Sequence, residues 1–149
     1  MKKVMNSFTL RFPSRSNNES FARASAAAFI AQLDPTLDEL NDIKTAVSEA
    51  VTNCIVHGYR DSVGTVTMTV RLLEPATVEI MVRDQGCGIE DIARARTPLY
   101  TTGGAERSGM GFTIMESFMD KLSVRSAPGK GTTVRMQKAL SQRLSGSAK

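Results

Sequence analysis

Residues 48–58 read Ser48-Glu49-Ala50-Val51-Thr52-Asn53-Cys54-Ile55-Val56-His57-Gly58. Together with Leu40, Ile43 and Val47 upstream, the residues Ala50, Val51 and Cys54 recur at helical spacing and predict one long amphipathic helix. Its start is marked by Thr36-Leu37-Asp38-Glu39, a hydroxyl cap with a carboxylate three residues on. The helix is expected to run to about Gly58. Glu49, Asn53 and His57 fall at i, i+4 and i+8, so they share one stripe bordering the apolar face. A carboxylate and an amide at the edge of a core suit a base and a metal or water ligand. The same stripe also reads as a solvated helix face.

On the N-terminal side, Phe8, Leu10 and Phe12 alternate with Thr9 and Arg11, which predicts a strand over 4–12 ended by Pro13 and Ser14. Asn17 or Asn18 is placed to cap a helix whose apolar stripe reads as Phe21, Ala24, Ala28, Phe29 and Leu33. Asp34-Pro35 breaks it. On the C-terminal side, two β-rich runs over 63–73 and 76–84, joined at Glu74-Pro75, read as a hairpin. Residues 85–88 are rich in glycine, 89–95 suit a short helix, and 96–108 have no clear period. Gly109 to Phe118 reads as a helix, Lys121–Ser126 as a strand, Pro128–Gly131 as a turn and Thr132–Leu140 as the last strand. The order β-α-α-β-β-loop-α-β-β predicts an α+β two-layer sandwich, a mixed and mostly antiparallel sheet with its helices on one face. It fits one domain over 1–140 and a polar, disordered tail over 141–149.

Composition bounds what such a domain does. The chain has 149 residues, 41% hydrophobic and 23% charged, enough for one well-buried core. No apolar run has the roughly 18 residues of a membrane span, and no apolar signal core follows Met1-Lys2-Lys3, so a cytoplasmic protein is expected. Cys54 and Cys87 lack metal-ligand spacing and read as free thiols. The net charge of +4 is local: seven of the nineteen basic residues follow Asp120, where no acid occurs. Only eight aromatics and no Trp are present, a poor supply for base stacking, so direct nucleic-acid binding is not expected.

Three further patches carry chemistry. Asp84-Gln85-Gly86-Cys87-Gly88-Ile89 follows the strand Val78–Val82. There a carboxylate at a strand end can accept from an exocyclic amine, and alternate glycines admit a ligand close to the backbone. Arg107-Ser108-Gly109-Met110-Gly111-Phe112 opens a helix, whose free N–H groups and dipole favour phosphate. Gly129-Lys130-Gly131-Thr132 lies between two strands. Each patch alone also reads as a plain glycine turn or helix start. No Walker loop and no protein-kinase H-R-D or D-F-G is present.

Taken in order, the helix box Glu49…Asn53, the Asp84–Gly88 box, Gly109-Met110-Gly111 and Gly131-Thr132 resemble the Bergerat-fold ATP-binding proteins (gyrase-type ATPases, Hsp90, histidine kinases and MutL). Asn18-Glu19-Ser20-Phe21-Ala22-Arg23, Gln32-Leu33-Asp34-Pro35-Thr36, His57-Gly58-Tyr59 and Glu106-Arg107-Ser108-Gly109-Met110-Gly111 narrow the resemblance to the anti-sigma-F factors of endospore-forming bacteria, over about residues 6–140.

That resemblance implies a serine kinase that also sequesters the sporulation sigma factor F. ATP or ADP with Mg²⁺ is the implied ligand, contacted by Asn53, Asp84, Gly86, Gly88, Ile89, Thr101, Ser108, Gly109, Met110, Gly111 and Thr132. Asn53 is implied as the Mg²⁺ ligand, Glu49 as the general base, and Arg107 as the cation meeting the γ-phosphate. The implied phospho-acceptor is a serine of an anti-anti-sigma protein. Glu19 and Arg23 are implied to hold the partners, although from spacing alone they read as an i, i+4 surface pair worth about 0.2–0.5 kcal/mol. A homodimer is implied as well, and the strand at 4–12 is expected at a sheet edge. A non-catalytic nucleotide-dependent binding module and another ATPase domain of the same superfamily are the alternatives.

Overall fold

The computed structural model describes residues 2–59, 62–88 and 110–141. Among the described residues, five strands form one sheet: β1 (Val4–Pro13), β2 (Thr65–Leu73), β3 (Thr77–Asp84), β4 (Lys121–Ser126) and β5 (Thr132–Ala139). Their spatial order is β1-β2-β3-β5-β4, which places β1 at one edge as expected. The mostly antiparallel sheet expected is present, and every described pairing in it is antiparallel, with no parallel pair among them. The reason is topological. β4 runs in the direction of β3, but β5 turns back and inserts between them, so no two parallel strands become neighbours.

Alternation along the strands builds the core. Val66, Met68, Val70 and Leu72 on β2, and Val78, Ile80 and Val82 on β3, are buried and point to one side. Val134 and Met136 extend that layer on β5. Each such side chain contributes about 1.5–3 kcal/mol when fully buried. The layer is covered by α1 (Asn18–Ile30), α2 (Leu37–Asn53) and α3 (Met110–Phe118).

The helix ends follow the sequence in one case and depart from it in another. At α2, the Thr36 hydroxyl accepts from the Glu39 N–H at 3.0 Å, and the Glu39 carboxylate accepts from the Thr36 N–H at 2.8 Å, completing the predicted capping box. At α1, Asn17 occupies the cap position with helical backbone angles and no side-chain cap bond. The Asn18 amide instead donates to the Pro13 carbonyl at 2.9 Å and ties the helix start to β1.

The buried stripe of α1 is Ala22, Ala26 and Ile30, not the predicted Phe21, Ala24 and Ala28. Alanines decide the face. Ala22 and Ala26 on α1 and Ala46 and Ala50 on α2 are all fully buried, and small side chains let the packed helices approach closely. Phe21 is left 53% exposed. Phe29 and Leu33 still pack on the core, and the Phe29 ring meets Phe8 edge-on at 4.7 Å. Asp34, with φ of 53°, ends the short 3₁₀ turn Ala31–Leu33 that follows α1.

The long helix also ends differently from its periodicity. After Asn53 the chain widens into a π turn, Cys54–Gly58, closed by the Tyr59 N–H reaching the Cys54 carbonyl at 3.1 Å. The i, i+4, i+8 stripe therefore holds for Glu49 and Asn53 but stops short of His57. Such single π turns recur where a helix meets a functional site.

Candidate nucleotide site

Four of the sequence patches converge where α2, β3, α3 and β5 meet. Glu49 and Asn53 lie one turn apart on α2. Gly111, in the first turn of α3, is their neighbour: a β-carbon there would stand 3.2 Å from Glu49 Oε1 and 3.3 Å from both polar atoms of the Asn53 amide. The second glycine box thus sits directly on the helix stripe, and a methyl at 111 would intrude on both polar side chains.

Asp84 ends β3 and is only 4% exposed. Its Oδ1 accepts the Gly86 N–H at 2.8 Å, and its carboxylate also receives the Cys54 thiol and the Thr132 N–H. Burial pushes its carboxyl above the usual aspartate range, and the three hydrogen bonds oppose but do not cancel that push. Cys54 is buried beside it. Burial and the neighbouring carboxylate hold that thiol protonated, well above the ordinary cysteine range. A buried acceptor of this kind suits an exocyclic amino group on a flat heterocycle.

The π turn explains how Asp84 is held. The carbonyls of His57 and Gly58 are among the last of the helix and reach the Asp84 box. The Gly58 carbonyl accepts the Cys87 N–H at 2.9 Å, and the His57 carbonyl accepts the Cys87 thiol at 3.1 Å. A β-carbon at Gly86 would collide with the Gly58 oxygen, so glycine is required for this approach. Gly88 has a φ of 79° and faces the Ala127 carbonyl, where a side chain finds neither room nor a favourable backbone. Behind it, the Gly129 N–H donates to the Cys87 carbonyl at 2.7 Å, which seats the 127–130 turn on the Asp84 box.

Thr132 is the register partner of Asp84 across β3 and β5. Its hydroxyl bonds that of Ser126 at 2.8 Å, and the Ser126 hydroxyl donates to the Gly131 carbonyl at 2.8 Å. Tyr59 adds a brace. Its phenol accepts the Gln85 N–H at 2.6 Å and donates to the Thr65 carbonyl at 2.8 Å. It thereby fixes the exit of β3 to the start of β2.

The structure therefore places Glu49 and Asn53 against Gly111, and Asp84 beside Gly86 and Thr132 on the turn that carries Gly88. Ile89, Thr101, Arg107, Ser108 and Gly109 lie outside the described residues, and of Met110 only its place as the first residue of α3 is described. Cys54, Gly58 and Tyr59 were missed as site-shaping residues. The tripeptide His57-Gly58-Tyr59 was visible in the sequence, but no spacing rule points from it to Asp84. Glu19 and Arg23 lie on α1, 3.3 Å apart, as the i, i+4 spacing predicts. Among the described residues, no helix is long and apolar enough to cross a membrane.

Comparison with known proteins bears on the family and the fold. Residues 12–138 match the family model of the histidine kinase-like ATPase domain. The anti-sigma F factor of Thermoanaerobacter sp. (strain X514) is 58% identical over 134 residues, 89% of this chain and 93% of that protein. That of Geobacillus stearothermophilus is 58% identical over 138 residues, 91% and 94% of the two chains. Among solved structures, the RsbU and RsbW domains of a Mycobacterium tuberculosis protein align with a TM-score of 0.68 at 21% identity, over 93% of this chain and 33% of that one. The histidine kinase domain of a blue-light activated histidine kinase from Erythrobacter litoralis aligns with a TM-score of 0.57 at 21% identity, over 83% and 61%. These two likenesses concern the fold.

Proposed function

This chain belongs to the anti-sigma F factors within the histidine kinase-like ATPase domains, and from that premise we propose that it is an anti-sigma factor and an ATP-dependent protein serine kinase. It sequesters the sporulation sigma factor F and phosphorylates a serine of an anti-anti-sigma antagonist. The observation that carries the nucleotide part is the seating of Gly111 against both Glu49 and Asn53. It places a phosphate-favouring helix start beside a carboxylate and an amide.

In this reading the adenine amine donates to the Asp84 carboxylate, with Thr132 beside it. Gly86, Gly88 and Gly111 keep side chains out of the nucleotide's way. The amide oxygen of Asn53 would be the protein ligand for Mg²⁺, which would supply charge neutralisation on the phosphates. Glu49 takes the proton of the acceptor serine as that oxygen bonds to the γ-phosphorus and the bond to the β-phosphate oxygen breaks, releasing ADP. Arg107 balances charge on the transferring group. Phosphoryl transfer asks mainly for positioning and electrostatics, which a small domain of this kind can supply.

The partners meet α1 through Glu19 and Arg23, and two copies of the chain associate as a homodimer. Transfer of labelled γ-phosphate to a candidate anti-anti-sigma protein, with and without Mg²⁺, tests the kinase. Labelled acceptor serine is the expected result. Nucleotide binding with no transfer to any acceptor would leave a nucleotide-dependent binding module.

A further inference from the structure

The Glu19–Arg23 pair of α1 is not a free surface pair. Arg23 Nη1 lies 3.3 Å from Glu19 Oε2 and donates to the Ser48 hydroxyl on α2 at 3.4 Å. That hydroxyl in turn donates to Glu19 Oε2. The three side chains close a ring in which Ser48 uses its single proton toward the acid and its lone pair toward the base. An isolated i, i+4 pair leaves two long side chains free to turn. Here a third group on a different helix fixes both, with the Glu19 side chain only 22% exposed and that of Arg23 39%.

Ser48 immediately precedes Glu49, whose carboxylate meets Gly111 at the nucleotide site. Along a helix, successive residues point about 100° apart. One faces α1 and the next faces α3. A shift or rotation of α2 that repositions Glu49 must also move the Ser48 hydroxyl, and with it the Glu19–Arg23 pair.

We propose that Ser48 is a positioning residue for the α1 partner surface: its hydroxyl orients Arg23 through Glu19 and ties that surface to the nucleotide-bearing helix. The inference rests on the reading of α1 as the partner surface. Coupling of this kind is reciprocal, so nucleotide state alters partner affinity as much as partner alters nucleotide affinity.

The test measures sigma factor F binding to the full chain in ATP and in ADP, for the parent, Ser48→Ala, Ser48→Thr and Arg23→Ala. Ser48→Ala is expected to keep ATP affinity within about twofold. It should weaken sigma factor binding by about threefold or more, and bring the ATP-to-ADP affinity ratio toward one. Ser48→Thr, which keeps the hydroxyl, should restore both. Parent-like affinity and ratio in Ser48→Ala, with Arg23→Ala weakened about tenfold, would overturn the role of Ser48 and leave the partner surface standing. Parent-like binding in both Ser48→Ala and Arg23→Ala overturns the partner surface and this inference together. Equal losses in Ser48→Ala and Ser48→Thr assign the effect to packing and also overturn it.

Discussion

The α-carbon of Gly58 lies against the carboxylate of Asp84. A β-carbon at position 58 would stand 2.9 Å from both Cγ and Oδ2 of that side chain. Asp84 has little room to yield, because it is buried and bonded to the Gly86 N–H. Gly58→Ala is therefore expected to displace the carboxylate and weaken ATP binding about tenfold or more, roughly 1.4 kcal/mol. Titration calorimetry reads this directly. Unchanged affinity means that the helix end yields instead of the carboxylate.

Asp84→Asn separates binding from stability. Burial, the dominant influence, raises the Asp84 carboxyl above its ordinary value. A raised folded-state pKa means that this group's stabilisation is present below the unfolded value and lost as pH rises through the folded one. In the proposed function, adenine recognition uses the ionised, acceptor-only form. Stability and binding thus run in opposite directions with pH. The substituted amide presents a donor where the adenine amine needs an acceptor, so ATP affinity should fall at neutral pH. Nucleotide-free thermal stability should equal or exceed that of the parent, and this advantage should close toward about pH 4, the ordinary aspartate range. Calorimetry and melting curves across that span are the measurements. Parent-like ATP affinity in a folded variant removes Asp84 from the adenine site.

Much of this was legible in the sequence because it depends on local period and capping. The Thr36–Glu39 box, the alternation in β2 and β3, and the Glu49/Asn53 stripe each follow from a few neighbouring residues. What was not legible depends on contacts between distant segments. The buried face of α1 carries Ala22, Ala26 and Ile30 against the packed α2, and a hydrophobicity pattern led by Phe21 cannot show that choice. The π turn at Cys54–Gly58 leaves no periodic mark. Its purpose emerges only where its carbonyls meet Cys87, thirty residues beyond His57. The Ser48 bridge was hidden for the same reason, since nothing in the spacing of Glu19 and Arg23 refers to α2.

Glu79 is the other buried acid among the described residues, on the sheet face away from the helices. It is 2% exposed and receives Arg135 Nε at 2.8 Å, Arg135 Nη2 at 2.6 Å and Gln137 Nε2 at 2.8 Å on one oxygen. Arg71 lies 3.4 Å from the other oxygen. Burial pushes the carboxyl up, but hydrogen bonds from Gln137 and Arg135 and the charges of Arg135 and Arg71 bring it below the usual glutamate range. The sign is opposite to that of Asp84: this stabilisation is present above the unfolded pKa and lost as pH falls through the folded one. Glu79→Gln is expected to cost about 1.5–3 kcal/mol at neutral pH, the range for hydrogen bonds to a charged group. The difference should shrink in acid. Denaturant titrations at two pH values check this, and an equal loss at both would mean that the charge is not what stabilises the cluster.

The catalytic assignment turns on two side chains one helical turn apart that should fail in different ways. Glu49 and Asn53 face the same glycine, so substitution at either reaches the same small space. Their chemistry differs. A carboxylate can take a proton, whereas an amide offers a neutral oxygen to a cation and cannot act as a base near neutral pH. Glu49→Gln keeps the shape and removes the proposed base. It should bind ATP and sigma factor like the parent while phosphoryl transfer falls by about 10²–10⁴. Asn53→Ala keeps the base and removes the ligand, so its loss should appear in the Mg²⁺-dependent part of nucleotide binding. Comparing ATP affinity with and without Mg²⁺ therefore distinguishes the two variants before any transfer is measured. Transfer at the parent rate in Glu49→Gln would reduce the stripe to an ordinary helix face. A Mg²⁺ dependence unchanged in Asn53→Ala would move the cation to another ligand while leaving Glu49 in place.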